Sequence, residues 1–450
     1  MYLRRLKERV MSLDRRIWQI TYPIFLGLLA QNIINVTDTA FLGRVGEVAL
    51  GAAGMGGLYY ICIFTIAFGF STGSQILIAR RNGEQRYRAI GPVMWQGSLF
   101  LLVLSCLFVL FSKCFGGDLM RLLISSDEVW QATMEFLTYR IWGFFFISIS
   151  VMFRALYIGI TRTKVLTLNA LVMAATNVLL DYLLIFGNWG FPRLGVQGAA
   201  IASVISEAVA VVFFVVYTRL TVDREKYGLN RLDRFDWGLL KHVLSISVFT
   251  MLQYFISLTT YFMLFVVVEH LGVRALAIAN IVRSLYMILL IPINSLSMTA
   301  NTLVSNTIGE GHTDQVIAVI RRVAGWSAAI MAVVLLGVVL FPEGILSVYT
   351  NEGTLIADAI PSVYVIAAAL VLSSCSFVVF NGVTGTGNTQ ASMLIELTTL
   401  LFYALFIYWA GMVMHYPVAV CFGAEIIYYV GLLSLSMLYL RRAKWQNKRI

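Results

Sequence analysis

Twelve apolar segments, each longer than the roughly 20 residues a helix needs to cross a bilayer, follow one another along the chain with mostly short breaks. They run over approximately 17–42, 48–79, 90–112, 130–159, 163–186, 195–218, 239–270, 275–306, 316–341, 359–384, 391–413 and 417–440. Most breaks hold Gly, Pro or charge, as at Gly43–Gly46, Gly83-Glu84, Gly116-Gly117-Asp118, Pro192, Gly309–Gly311 and Pro342-Glu343. Hydrocarbon offers no partner to an unpaired backbone amide, so segments of this length are predicted to be helices. Composition agrees: 59% of residues are hydrophobic and 12% charged, where an average globular chain is roughly half apolar and about a quarter charged. A water-soluble enzyme, an intrinsically disordered chain and a DNA-binding domain are excluded on this ground.

The net charge of +10 then becomes a question of where the cations sit. Of 33 Lys and Arg residues, 25 fall in the N-terminus, the even-to-odd loops and the C-terminal tail, and five (Arg44, Lys113, Arg121, Arg193, Arg274) in the opposite loops. Arg140, Arg154 and Arg283 fall within spans. Positive loops stay inside, so both termini are expected to be cytoplasmic in a multi-pass protein of the inner (plasma) membrane. The charge needs no nucleic-acid partner; the bilayer is the partner. The polar first sixteen residues carry Arg4, Arg5, Lys7, Arg9, Arg15 and Arg16. The apolar run behind them is too long for a signal-peptide core, so it reads as a retained anchor. Cys62, Cys106, Cys114, Cys375 and Cys421 are scattered, without a paired motif for disulfides or zinc.

The long polar connection at 219–238 holds Arg219, Arg224, Lys226, Arg231 and Arg234 and divides the chain into lobes 1–218 and 239–450. The second half matches the first at one constant offset, the spacing from Gly46 to Gly272. Gly46-x-x-Ala49-Leu50-x-x-Ala53 falls on Gly272-x-x-Ala275-Leu276-x-x-Ala279, Gly83-Glu84 on Gly309-Glu310, Gly159 on Gly385 and Thr163 on Thr389. Six spans per copy is an even number, so both copies enter from the same side. The predicted fold is an all-α polytopic membrane protein with 12 transmembrane helices. Its two six-helix bundles are related by a pseudo-twofold axis along the membrane normal. Two such bundles enclosing a cleft favour a carrier over a channel.

No Gly-x-x-x-x-Gly-Lys-Ser/Thr loop occurs, so ATP is not expected to drive the chain directly. No nucleophile elbow, His-Glu-x-x-His or paired-cysteine site points to an enzyme, and His242, His270, His312 and His415 all lie near span ends. No cofactor is expected beyond a coupling ion, H⁺ or Na⁺. The informative residues are ionisable groups inside spans, each costing a few kcal/mol at the bilayer centre. Asp38 lies in span one within Gln31-x-x-x-Asn35-x-x-Asp38, and Asp181 in span five within Asn177-x-x-x-Asp181. These spans run in the same direction. Asp38 lies five residues before Gly43 and Asp181 six before Gly187, so at 1.5 Å per residue both carboxylates sit about 8–9 Å below the outer helix ends. Asn177 is one turn from Asp181 on the same face.

Two carboxylates and an amide at one level can hold a proton, because like charges and loss of water both favour the neutral acid. They can equally hold Na⁺, a hard cation that takes oxygen ligands. The alternative is that Asp38 snorkels outward or pairs with Arg44, while Asp181 is an ordinary end-of-helix acid. The repeat partners of Asp38 and Asp181 are Leu264 and Ile407, so any coupling site of this kind belongs to the first half only. Glu207, Glu396 and Glu425, in spans six, eleven and twelve, are candidates either for transport or for interhelical pairing. Pro23, fifteen residues before Asp38, favours a bend in span one. Span-borne aromatic and Met residues such as Phe64, Phe68, Met152, Tyr254 and Tyr286 can line a pocket for amphipathic cations.

The motifs together resemble multidrug and toxic compound extrusion (MATE) transporters over nearly the whole chain. The resemblance rests on Asp38-x-x-x-Leu42-Gly43-x-x-Gly46-x-x-Ala49-Leu50 and the Gly83-Glu84 region. It continues through Gly159-x-Thr161-x-Thr163-Lys164 with its second copy Gly385-x-Gly387-Asn388-Thr389, then Asn177-x-x-x-Asp181 and Gly195-x-x-Gly198-Ala199-Ala200. Thr161 and Arg162 depart from the family's Gly-Asp. The chain is most similar to the DinF-like branch, whose N-lobe cation site maps onto Asp38, Asn177 and Asp181, with Pro23 below it. The NorM-like branch relies on acids of spans seven and ten, where this chain has only Glu269 at the end of span seven. Ser203 stands where relatives often carry Thr; with Gln31 and Asn35 it is a candidate for additional ligation or gating.

The resemblance implies secondary active export of organic, often cationic and amphipathic, compounds in exchange for H⁺ or Na⁺ by alternating access. Small-molecule substrates and a monomeric state are expected. The runner-up is a lipid or lipid-linked oligosaccharide flippase of the related exporter group, which would favour a cleft dense in arginine.

Overall fold

The computed structural model describes residues 2–230, 235–350 and 352–447; Arg231 and Arg234 of the polar connection lie outside them. Fifteen α-helices follow in order: α1 (Tyr2–Val45), α2 (Glu47–Gly83), α3 (Ile90–Leu123), α4 (Asp127–Arg140), α5 (Gly143–Gly159), α6 (Lys164–Leu184), α7 (Val196–Thr221), α8 (Trp237–Glu269), α9 (Val273–Gly309), α10 (Val316–Leu340), α11 (Pro342–Leu346), α12 (Gly353–Gly385), α13 (Thr389–Ile407), α14 (Val418–Cys421) and α15 (Gly423–Arg442). No strand occurs among the described residues. Among the described residues eleven helices are long and apolar enough to cross a membrane, and twelve if the bent pair α4 and α5 counts as one span.

Span four differs from its sequence reading. The run 130–159 reads as one segment, but α4 and α5 meet at a bend of 53°. The reason is local. Trp142 N–H donates to Tyr139 C=O at 3.2 Å and Phe144 N–H to Ile141 C=O at 3.1 Å, so the α ladder tightens to i→i−3 pairing for a turn. α1, in contrast, runs unbroken through Pro23, which is buried.

The chain forms two compact units, Leu26–Met251 and Met1–Phe25 with Leu252–Ile450. They divide inside α1 and α8, whereas the halves read from the polar connection divide at 219–238. The two division points lie one repeat spacing apart. Hydrogen bonding explains the assignment. The opening turns of α1 belong with the C-terminal helices: Arg322 grips Asp14 through two bonds of 2.7 and 2.6 Å, and Thr21 meets Thr299 at 2.9 Å. Reciprocally, the start of α8 belongs with the N-terminal helices, where the Thr250 hydroxyl donates to Gly69 C=O at 2.7 Å. The connection docks onto the start of α3, with Gly91 N–H donating to Tyr227 C=O at 2.9 Å.

The internal repeat is written in the backbone. Positive φ angles recur in pairs: Gly46 (+147°) with Gly272 (+109°), Gln85 (+59°) with Gly311 (+81°), Thr161 (+61°) with Gly387 (+86°), and Trp189 (+55°) with His415 (+51°). The turn after span four is therefore kept although Thr161 replaces glycine. A residue with a Cβ pays about 1–2 kcal/mol for that conformation.

Candidate functional site

The N-terminal unit brings α1 and α6 side by side. At one end Gly27 lies against the α6 backbone, where a Cβ would make an ordinary contact of 3.7 Å with Leu166 C=O. At the other, Phe41 packs edge-on against Phe186 with centroids 5.4 Å apart. Between these contacts Asp38 and Asp181 come within hydrogen-bonding reach of each other. Asp181 is fully buried and Asp38 half-buried. Neither Asp181 oxygen meets a donor, and Asp38 Oδ1 meets none either; what faces them is the other carboxylate. Two bare carboxylates cannot hold such a position, so the geometry calls for a proton or a cation between them.

Asn177 is fully buried on the same face of α6, and neither atom of its amide has a protein partner. A buried amide left unpaired is costly, and it is a ready ligand. α7 packs antiparallel to α6 through Gly198, whose missing side chain leaves room for Leu184 C=O; a Cβ there would lie 2.6 Å from that oxygen. Five residues on, about 7.5 Å along the helix, Ser203 stands half-buried at a level between Asn177 and Asp181. Gln31 and Asn35 are exposed on α1, and Asn35 C=O accepts from the Thr39 hydroxyl at 2.8 Å. Pro23 lies in the stretch of α1 that belongs to the other unit.

A second buried constellation in the N-terminal unit escapes sequence reading. Arg140, at the bend of span four, donates to both oxygens of Glu207 on α7, at 3.0 and 2.7 Å. Tyr60 of α2 donates to the same carboxylate at 3.0 Å and lies 3.4 Å beneath the guanidinium. The pair's side chains are 12% and 8% exposed, so the charges hold each other rather than water. A Cβ at Gly143 would sit 2.5 Å from Glu207 Oε2, so a side chain there would displace the ion pair from this position. The charge of Arg140 also reaches Asp38. Sequence alone lists Arg140 as a basic residue within a span and Glu207 as a candidate for interhelical pairing. It does not join two positions on separate helices.

A polytopic helical membrane protein that keeps facing carboxylates inside its spans is defined by these observations. The MatE family model matches residues 23–183 and, a second time, residues 250–409, and the chain belongs to that family. To within one position, the two matched segments start and end at the spacing of the internal repeat. The chain is 25% identical over 398 residues to the probable multidrug resistance protein NorM of Thermotoga maritima, covering 88% of this chain and 84% of the relative. It is 24% identical over 438 residues to the protein of the same name from Synechocystis, covering 95% and 94%. Its fold matches a structure described as the outward-facing conformation of a multidrug resistance MATE family transporter, with a TM-score of 0.87, 19% identity and 95% of both chains covered.

Proposed function

We propose that the protein is a secondary active multidrug efflux transporter that exports organic, often cationic and amphipathic, compounds in exchange for H⁺ or Na⁺. One observation carries the coupling: two span-borne carboxylates, Asp38 and Asp181, face each other with no protein donor between them. Entry of the coupling ion from outside neutralises the pair, with the buried Asn177 amide as the third ligand and Ser203 at the same level. Exchange at this site, transmitted along α1 toward Pro23, drives alternating access. The names of the relatives support efflux over the flipping of lipids or lipid-linked oligosaccharides. The placement of the acids on spans one and five supports the DinF-like branch.

In this reading the chain is a carrier and not a catalyst. It works as a monomer of two six-helix lobes, 1–218 and 239–450, in the plasma membrane with both termini cytoplasmic. Asp38→Asn keeps the size of the side chain and removes its charge. Cells expressing that variant at wild-type levels are expected to lose gradient-driven efflux of a lipophilic cation such as tetraphenylphosphonium. Export at the wild-type rate would exclude Asp38 from coupling.

A further inference from the structure

The C-terminal unit buries two glutamates that the coupling site does not use. Glu425 of α15 is 5% exposed and Glu396 of α13 is 3% exposed. Tyr286 of α9 donates to Glu425 Oε2 at 3.1 Å and Tyr403 of α13 to Oε1 at 3.0 Å. Tyr429 of α15 bonds the Tyr286 hydroxyl behind it. Glu396 Oε1 accepts from Ser257 of α8 and from Tyr428 of α15, both at 2.7 Å, while Glu396 Oε2 has no partner although it is buried. The two acids share one aromatic cluster, in which the Tyr428 ring packs on Tyr403 at 6.0 Å and on Tyr429 at 5.1 Å.

The repeat shows what is special about this arrangement. Tyr286, Tyr403 and Tyr429 are the repeat counterparts of Tyr60, Asn177 and Ser203. The tyrosines around Glu425 thus occupy the positions that, in the first half, surround Glu207 or the Asp38–Asp181 level. In the first half the buried glutamate is neutralised by Arg140. The counterpart of Arg140 is Ile366, 1% exposed. Glu425 has no ion-pair partner among the described residues, and a buried carboxylate without a cation takes up a proton instead.

The remaining groups around the network do not replace that arginine. Tyr261 of α8 feels the charges of Glu425 and Arg283, but the Arg283 guanidinium lies over the Phe265 ring at 5.2 Å. α12 presents Phe377 to Tyr428 and Tyr429. The thiol of Cys421, one turn before Glu425, is buried and brings no cation.

We propose that Glu425 and Glu396 form a second ion-binding site, in the C-terminal unit, and that its ligand is H⁺ and not Na⁺. A sodium ion needs several oxygen lone pairs converging on one point. Here the hydrogens of Tyr286, Tyr403 and Tyr428 are spent on the carboxylates, and the one open carboxylate position is a single oxygen, Glu396 Oε2, which suits a proton. Both Glu425 oxygens are supplied by phenols, whereas Glu396 keeps one oxygen bare. A proton can therefore be held on Glu396 while the hydrogen bonds to both acids stay intact.

The test is infrared difference spectroscopy of the full chain in lipid bilayers, reading the C=O stretch of neutral carboxylic acids as the buffer is changed from alkaline to acid. The Asp38→Asn/Asp181→Asn variant silences the first-half acids, so the outcome does not depend on the function proposed for them. A pH-dependent C=O band is expected to remain in that variant, to be unchanged by Na⁺, and to be lost with Glu425→Gln and Glu396→Gln added. Tyr428→Phe keeps both acids and the ring packing, and is expected to move the band to higher wavenumber because the Glu396 carbonyl loses a donor. A band that does not respond to pH, that survives removal of both glutamates, or that Na⁺ abolishes overturns the proposal.

Discussion

The two halves treat the same problem in different ways. Tyr60 and Tyr286 are repeat counterparts, and each donates to a buried glutamate on the last span of its half, Glu207 and Glu425. In the first half Arg140 closes the circuit with two further bonds, leaving a fixed ion pair. In the second half Ile366 stands in its place, and phenols alone surround the acid. The reverse holds at the other acid positions: Asp38 and Asp181 face each other in the first half, while Leu264 and Ile407 are buried apolar residues in the second. A duplicated scaffold can thus keep its helices and turns while reassigning which acids are locked and which are free to exchange a proton.

The contrast predicts unequal costs for the same substitution. Glu207→Gln leaves the Arg140 charge buried and unpaired and is expected to destabilise the protein by about 3–5 kcal/mol. Glu425→Gln keeps an acceptor for the phenols and is expected to cost about 1 kcal/mol. Thermal unfolding of the two variants in one detergent compares them directly, and equal losses would erase the distinction between locked and exchangeable acids.

A smaller effect separates the halves at the turn after spans four and ten. Thr161→Gly is expected to stabilise by about 1 kcal/mol by relieving its positive φ, and Gly387→Ala to destabilise by a similar amount. Both are read in the same unfolding assay. Opposite signs are the expected result, and a destabilising Thr161→Gly would mean that the threonine side chain contributes more than its backbone costs.

Much of the fold is legible in the sequence because bilayer thickness dictates run length, and every apolar run corresponds to helix. The repeat is legible where glycine marks a positive φ in both copies, at Gly46 and Gly272. It is hidden at Gln85, Thr161 and Trp189, where side-chain residues accept the same angle. The level shared by Asp38 and Asp181 follows from helix rise alone. The break in span four does not, because Arg140-Ile141-Trp142-Gly143 contains no proline and reads as a continuous apolar run. The Arg140–Glu207 pair joins positions 67 apart on separate helices, and one sequence carries no record of such pairing.

The central claim is that the facing carboxylates of the first half couple ion entry to export. Purified protein in proteoliposomes, given tetraphenylphosphonium on the inside and either a H⁺ or a Na⁺ gradient, tests it by ion flux. The account predicts substrate-stimulated flux of one of these ions in the wild type and its loss in Asp38→Asn and in Asp181→Asn. Flux that persists at the wild-type rate in both variants would contradict it.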